Sequence, residues 1–276
     1  MSVVVVTDSS CCIDPEVIDR FDIRVVPLHV VADGRDLREG VDELPDDLSG
    51  VTTSGPSPAE LTDVYAEALD ASDGDGVVAV HLSRLLSGTW DAARHAAEAF
   101  GDRIRLVDSQ STAMGLGFAV VEAARAARAG ASPAQVYERA VRVAATAKTL
   151  LVVDRLDHLR RGGRIGTATA LLGTALAMKP VLHIVDGKLV LREKTRTMTK
   201  AMAKLVDGVV AEAGEDPLVA VHHRQAPDRA RTLAEQLSER LPDGTEVGVS
   251  ELDAVLGAHV GPGAVGVVVA SAATGD

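Results

Sequence analysis

Residues 76–109 read GVVAVHLSRLLSGTWDAARHAAEAFGDRIRLVDS. The stretch opens on a short aliphatic run (76–82), passes through a hydroxyl-rich loop, continues as an amphipathic segment to Phe100 and closes on a second aliphatic run (104–107). A short apolar run bounded by polar residues reads as a buried strand, and apolar positions three and four apart read as a helix. The pattern predicts a strand over 76–82, a helix over 87–100 and a strand over 104–107. Two strands joined by a helix pair in parallel, because a tight turn cannot connect parallel neighbours.

The same texture extends in both directions. Upstream, Val3-Val4-Val5-Val6 predicts a strand, and Asp14-Pro15-Glu16 a helix start with Pro at its first position. Residues 23–31 predict a second strand, Asp33-Gly34 a turn, and residues 36–50 an acidic irregular stretch. Ser57-Pro58-Ala59-Glu60 is a capping box opening a helix to about Asp70. Downstream, a helix is predicted over 113–129, and Ser132-Pro133-Ala134-Gln135 opens another to about Ala147. From Lys148 the order changes. A strand over 149–153 leads to a basic loop, Arg160-Arg161-Gly162-Gly163-Arg164. Residues 181–185 and 189–192 flank Asp186-Gly187, a strong hairpin signal. A helix over 198–213, a strand over 218–222, a helix over 226–240 and strands over 246–250 and 265–270 complete the chain. Hairpin and crossover mixed in this way predict a mixed sheet. The expectation is an α/β protein of two domains. Residues 1–147 would form a three-layer domain with a mostly parallel sheet, and residues 148–276 an α/β domain with a mixed sheet.

Composition narrows the function. The chain has 276 residues, 46 % apolar and 25 % charged, with a net charge of −12. Its aromatics are six, and none follows Tyr137. Base-stacking platforms need aromatic faces, and phosphate backbones need positive charge, so nucleic acid is excluded as a partner. Cys11 and Cys12 are adjacent and cannot build a disulfide framework, which fits a reducing compartment. No uncharged apolar run reaches the roughly 18 residues of a membrane span, and the four N-terminal valines are too few for a signal peptide. The expectation is a cytoplasmic protein. Charge is unevenly spread. Residues 148–204 hold twelve basic and four acidic side chains, a net +8, leaving −20 for the remainder. Such asymmetry marks either an interaction surface or a solvated face.

Several chemistries are missing from the sequence. It has no P-loop, no dinucleotide fingerprint after the first strand, no Gly-x-Ser-x-Gly and no His-Glu-x-x-His. His222-His223 lie on a predicted strand, where neighbours point to opposite faces, so a shared metal is not expected. Two hydroxyl loops remain, Thr52-Thr53-Ser54-Gly55-Pro56-Ser57 and Ser83-Arg84-Leu85-Leu86-Ser87-Gly88-Thr89, each before a helix. Helix N-termini at the carboxyl ends of α/β strands suit an anion. Taken singly, Ser57 and Ser87 also read simply as helix caps. The glycine-rich 162–164 loop reads as an anion site or a plain turn. Gly257-Ala258-His259-Val260-Gly261-Pro262-Gly263 reads as a glycine loop whose histidine is structural or ligand-facing.

Taken in order, Thr7-Asp8-Ser9, Val26-Pro27-Leu28, Thr53-Ser54-Gly55-Pro56-Ser57, Leu86-Ser87-Gly88-Thr89, Val107-Asp108-Ser109, Arg161-Gly162-Gly163-Arg164-Ile165, Lys179-Pro180, Asp186-Gly187-Lys188 and Gly261-Pro262-Gly263 form a set. With this set the chain resembles the DegV family of bacterial fatty-acid-binding proteins, which includes the FakB subunits of fatty acid kinase. The resemblance implies a two-domain DegV-like fold with a long-chain fatty acid held between and into the domains. It implies carboxylate contacts from Thr53 and Ser87, backbone help near Gly88, Arg164 and His259 close by, and Ser54 and Thr89 as secondary contacts. It implies no metal and no cofactor beyond the bound acid. The chain itself would be no enzyme: a separate ATP-dependent fatty acid kinase would phosphorylate the presented carboxylate. The charge asymmetry adds a separate expectation, that the basic segment 148–204 is a docking surface for an acidic partner such as that kinase. Transient membrane contact is compatible with such a carrier.

Elementary energetics agree with that implication. A fatty acid needs a long apolar tunnel with a few polar groups at one end. Each buried methylene contributes about 0.8 kcal/mol, so an acyl chain of about 15 carbons supplies on the order of 10 kcal/mol before ordering costs. The weakly polar stretch 168–178 reads either as one wall of such a tunnel or as a buried helix. Two alternatives stay open: a stand-alone phosphotransferase or hydrolase using the same anion site, and a carrier of another lipophilic carboxylate.

Overall fold

The N-terminal valines alternate between two cores. Val3 and Val5 pack against helices on one side of their sheet, Val4 and Val6 against helices on the other, as the two-residue period of a strand requires. The computed structural model describes residues 3–165 and 178–272. In chain order, β1 (Val4–Asp8) leads to α1 (Pro15–Phe21), β2 (Arg24–Val26), β3 (His29–Ala32), β4 (Arg35–Arg38) and β5 (Thr52–Ser54). Next come α2 (Pro58–Ala71), β6 (Val77–His81), α3 (Thr89–Ala97), β7 (Ile104–Asp108), α4 (Met114–Arg128) and α5 (Pro133–Thr146). Then follow β8 (Lys148–Val152), α6 (Asp157–Arg161), β9 (Lys179–Val185), β10 (Lys188–Thr195) and α7 (Met198–Glu212). The described chain closes with β11 (Pro217–His223), α8 (Pro227–Ser238), β12 (Val247–Glu251), α9 (Ala254–Val260) and β13 (Val265–Ser271).

The local signals act as their chemistry dictates. Both capping boxes form, Ser57 with Glu60 and Ser132 with Gln135, each with Pro at the start of its helix. The Asp14 carboxylate accepts the Glu16 amide at the head of α1. Asp186 and Gly187 both take positive φ, the geometry that a two-residue hairpin needs to match the twist of its strands.

Three sheets result. The first, ordered β2-β1-β6-β7, is parallel throughout. Its α2/α3 face and its α1/α4/α5 face make three layers. The second, ordered β10-β9-β8-β13-β11-β12, is antiparallel except for the β11–β12 pair, hence mixed. Helices α7 and α8 cover one of its faces. The other face meets α4 and α5 and the cavity described below. The third is a small antiparallel sheet, β4-β3-β5. Among the described residues no helix is long and apolar enough to cross a membrane.

Three local expectations need correction. Residues 23–31 are not one strand: they divide at Pro27 into β2, in the parallel sheet, and β3, in the small sheet. Proline lacks the N–H that a continuous ladder would use. The stretch 36–50 is not irregular throughout, because β4 pairs with β3 across the Asp33-Gly34 turn. The glycine loop 257–263 is mostly helix: α9 runs to Val260 and Gly261 ends it at φ 74. Residues 166–177 lie outside the described ones, so of the 168–178 stretch only Met178 has a described position.

Candidate functional site

Thr53 sits in the middle of β5, paired with Val30 of β3. Its Oγ1 lies 2.7 Å from Nε2 of His259, on the last turn of α9. Gly162 ends α6 beside that imidazole, and a Cβ there would collide with Nδ1 of His259. The ring is therefore held between β5 and the end of α6. Nδ1 is buried and has no hydrogen-bond partner in the protein. Desolvation, with the Arg164 charge adding to it, pushes the His259 pKa down to about 4. The imidazole is neutral at pH 7.

Helix α9 is positioned from the opposite end by Glu39. One carboxylate oxygen accepts the Val255 amide at 2.7 Å, in the first turn of α9, and the other accepts Ser9 Oγ at 2.5 Å. Ser9 Oγ in turn accepts the Leu28 amide. Burial pushes the Glu39 pKa up to about 7, against the two hydrogen bonds that lower it.

The second hydroxyl loop turns on Ser83. Its carbonyl accepts the amides of Leu86 and Ser87, and its hydroxyl donates to Gly187 O at 2.8 Å. That last bond fastens the loop to the β9–β10 hairpin. Ser87 is not the N-cap of α3, which is Gly88. Ser87 Oγ instead lies 2.9 Å from Thr89 Oγ1 and accepts the Thr89 amide at 3.3 Å. Below the loop, fully buried Asp8 accepts the Leu82 amide at 2.9 Å and faces His81 Nδ1 at 3.0 Å. Nε2 of His81 meets the Tyr65 hydroxyl at 2.9 Å, and burial raises the Tyr65 pKa. The buried chain Asp8–His81–Tyr65 ties β1 and β6 to α2.

Arg164 joins the two halves of the site. Its Nε donates to Leu86 O at 2.8 Å and its Nη1 to Gly162 O at 2.6 Å. The guanidinium is thereby held between the residue preceding Ser87 and the glycine that packs on His259.

These groups stand at one end of a cavity of about 170 Å³, room for on the order of a dozen water-sized groups. Thr53, Ser54, Ser87, Gly88, Arg164 and His259 all line it. Thr89 does not: it is fully buried behind Ser87. The walls are aliphatic, with Leu28, Leu151, Ile184, Leu189, Leu256 and Val268 among them. The cavity runs between the face of the mixed sheet opposite α7 and α8 and the loops that leave the parallel sheet. A mainly aliphatic cavity with hydroxyls, an imidazole and a guanidinium at one end suits a lipophilic anion.

Sequence reasoning missed His222, which lines the cavity from β11. Its Nε2 accepts the Met114 amide at 3.3 Å, so it caps the start of α4, and its Nδ1 meets Ser250 Oγ at 2.9 Å. Burial pushes its pKa down to about 4. The neighbouring His223 accepts the Ala226 amide instead. Among the described residues no group of three or more His, Cys, Asp or Glu is placed to hold a metal. Cys11 and Cys12 are unpaired thiols, and burial raises both pKa values, Cys11 to about 12.

Comparison with known proteins places this geometry in a lineage. Residues 2–272 match the family model described as an uncharacterised protein, DegV family. A DegV domain-containing protein of Mycobacterium tuberculosis is 48 % identical over 272 residues, which cover 98 % of this chain and 97 % of the relative. A solved DegV-family structure from Corynebacterium glutamicum superposes with TM-score 0.88 at 38 % identity, covering 98 % of both chains. A fatty-acid-binding DegV-family protein from Thermus thermophilus gives TM-score 0.92 at 32 % identity, over 98 % of this chain and 100 % of that one. DegV of Bacillus subtilis, a fatty-acid-binding protein, gives 0.85 at 32 %, over 98 % and 99 %. With the family pattern spanning the chain from end to end, this protein is a member of the DegV family.

Proposed function

We propose that the protein binds a long-chain fatty acid in the aliphatic cavity and presents its carboxylate to a separate ATP-dependent fatty acid kinase. The observation that carries the reading is the convergence of Thr53, Ser87, Arg164 and His259 on one end of a cavity whose walls are aliphatic. The two solved relatives at 32 % identity that bind fatty acid support the same ligand class. A carboxylate accepts hydrogen bonds and donates none. Neutral His259 with its proton on Nε2 donates to Thr53 Oγ1, which leaves the Thr53 hydroxyl hydrogen free for the ligand. Ser87 supplies a second hydroxyl, and Arg164 a positive charge that is already held by two carbonyls. Hydroxyls hold the carboxylate without a tight ion pair, so its oxygen remains available for phosphorylation.

In this reading residues 1–147 form the domain that carries the carboxylate loops, and residues 148–276 the domain that contributes the acyl wall. Catalysis belongs to the kinase. The exposed side chains of Arg192, Lys194 and Arg196, on and just after the edge strand β10, form part of its docking surface within the basic segment 148–204. The protein works in the cytoplasm. The test is reconstitution. The purified protein loaded with palmitate should consume no ATP alone and should yield acyl phosphate when a fatty acid kinase is added. ATP consumption by the protein alone would instead favour a stand-alone phosphotransferase.

A further inference from the structure

Strand β13 places a glycine where every other feature calls for a side chain. Gly266 lies inside a buried strand, paired on one side with Leu151 of β8 and on the other with His222 of β11. Its φ is outside the left-handed region, so the backbone does not demand glycine there. Directly paired residues point to the same face of a sheet. Leu151, Gly266 and His222 thus form one row, and all three line the cavity. Between a leucine and a histidine, the missing side chain leaves a notch. It is narrow: a Cβ at 266 would stand 3.3 Å from both Leu151 Cβ and Leu150 O.

The notch has a place along the cavity. Ala264, two residues before Gly266, packs with Val260, the neighbour of His259 on α9, and so lies at the level of the head-group end. Val268, two residues beyond, extends the wall in the other direction; Thr149 pairs with it. Two residues of strand advance about 7 Å. The Gly266 row therefore stands between the head-group end and the part of the cavity bordered by Ile184, Thr149 and Val268; the segment 111–114 passes across both, with Ser111 at Thr149 and Met114 at His222. Glycine inside a strand commonly marks such a close approach of a ligand.

We propose that Gly266 is the aperture through which the acyl tail enters the part of the cavity beyond its row, and that the absence of a side chain there sets the length of chain the protein accepts. The inference rests on the fatty-acid reading above. Its test is a series of saturated acids from octanoate to stearate, titrated into the wild type, Gly266→Ala and Gly266→Val. Each methylene buried should raise wild-type affinity about fourfold, the equivalent of about 0.8 kcal/mol. Both variants should match the wild type within about twofold for the shortest acids and diverge from it beyond one chain length. At palmitate the loss should reach about fourfold for Gly266→Ala and at least tenfold for Gly266→Val. Gly266→Ala is the smaller change, asking Leu151 and the Leu150 carbonyl to give by a few tenths of an ångström, and a melt on the same sample together with the short-acid titrations keeps the test open if the larger residue disturbs folding. Isotherms that superpose at every length, or that shift equally at every length, would overturn the role of Gly266 while leaving fatty-acid binding intact. A wild type that binds no member of the series would overturn the fatty-acid reading and this inference with it.

Discussion

Nε2 of His259 lies 2.7 Å from Oγ1 of Thr53, across 206 residues of chain. The bond stands at the polar end of an aliphatic cavity and leaves the Thr53 hydroxyl directed by a neutral imidazole. Thr53→Val keeps the shape of the side chain and removes the hydroxyl. Hydrogen bonds to charged groups contribute about 1.5–3 kcal/mol, so palmitate affinity should fall about tenfold to a hundredfold. Ser87→Ala should act similarly. Isothermal titration checks both, and unchanged affinity in both variants would move the carboxylate elsewhere.

Gly162 tests the geometry without touching a polar group. Its backbone is ordinary at φ −71, yet a Cβ would collide with Nδ1 of His259. Gly162→Ala should displace the imidazole from Thr53. Overpacking of this kind costs about 1–3 kcal/mol of stability, and palmitate affinity should drop about tenfold. A thermal melt and a titration on the same sample check the two effects together.

Protonation gives a signed prediction. Glu39 titrates at about 7 in the folded protein against 4.5 ordinarily, because it is buried. The native state therefore holds a proton that the unfolded chain releases, and this group's contribution to stability falls as pH rises from about 4.5 to about 7. His222 and His259, pushed by burial from 6.5 down to about 4, act in the opposite direction. The unfolded chain takes protons that these rings refuse, so their contribution falls as pH drops from about 6.5 to about 4. Glu39→Gln removes the first effect alone. Its melting temperature should gain on the wild type between about pH 5 and pH 8, read by melts across that range. A constant difference would contradict the assignment.

The proposed docking surface can be tested separately from the pocket. Arg192, Lys194 and Arg196 are exposed, and none lines the cavity. Changing all three to Glu should reduce kinase-dependent acyl phosphate formation at least tenfold and leave palmitate affinity within about twofold. A parallel titration and turnover assay check this. Equal loss of both would indicate misfolding.

Much of this was legible in the sequence, and the reasons are physical. The strand–helix–strand unit over 76–109, the two capping boxes and the Asp186-Gly187 hairpin are local signals, and local chemistry fixes them. The candidate residues Thr53, Ser87, Gly88, Arg164 and His259 follow from an ordered set of motifs, and all of them line one cavity. Thr89, a secondary contact by the resemblance, is buried outside the cavity lining with its hydroxyl 2.9 Å from that of Ser87. What stayed hidden depends on distant pairing. His222 caps a helix 108 residues away, Glu39 holds an amide 216 residues away, and Asp8 reaches Leu82 across 74. No window of sequence contains both partners of any of these bonds. Residues 257–263 misled for another reason: glycines at both ends suggested a loop, whereas only Gly261 and Gly263 take positive φ.

The central claim is that this cavity holds a long-chain fatty acid by its carboxylate. Mass spectrometry of an organic extract from freshly purified protein tests it most directly, followed by titration of palmitate into the delipidated sample. The expected result is a co-purified long-chain fatty acid in the extract and rebinding of palmitate at one site per chain. An extract without fatty acid, together with no binding of added acid, would contradict it, and a different lipophilic carboxylate in the extract would reassign the ligand.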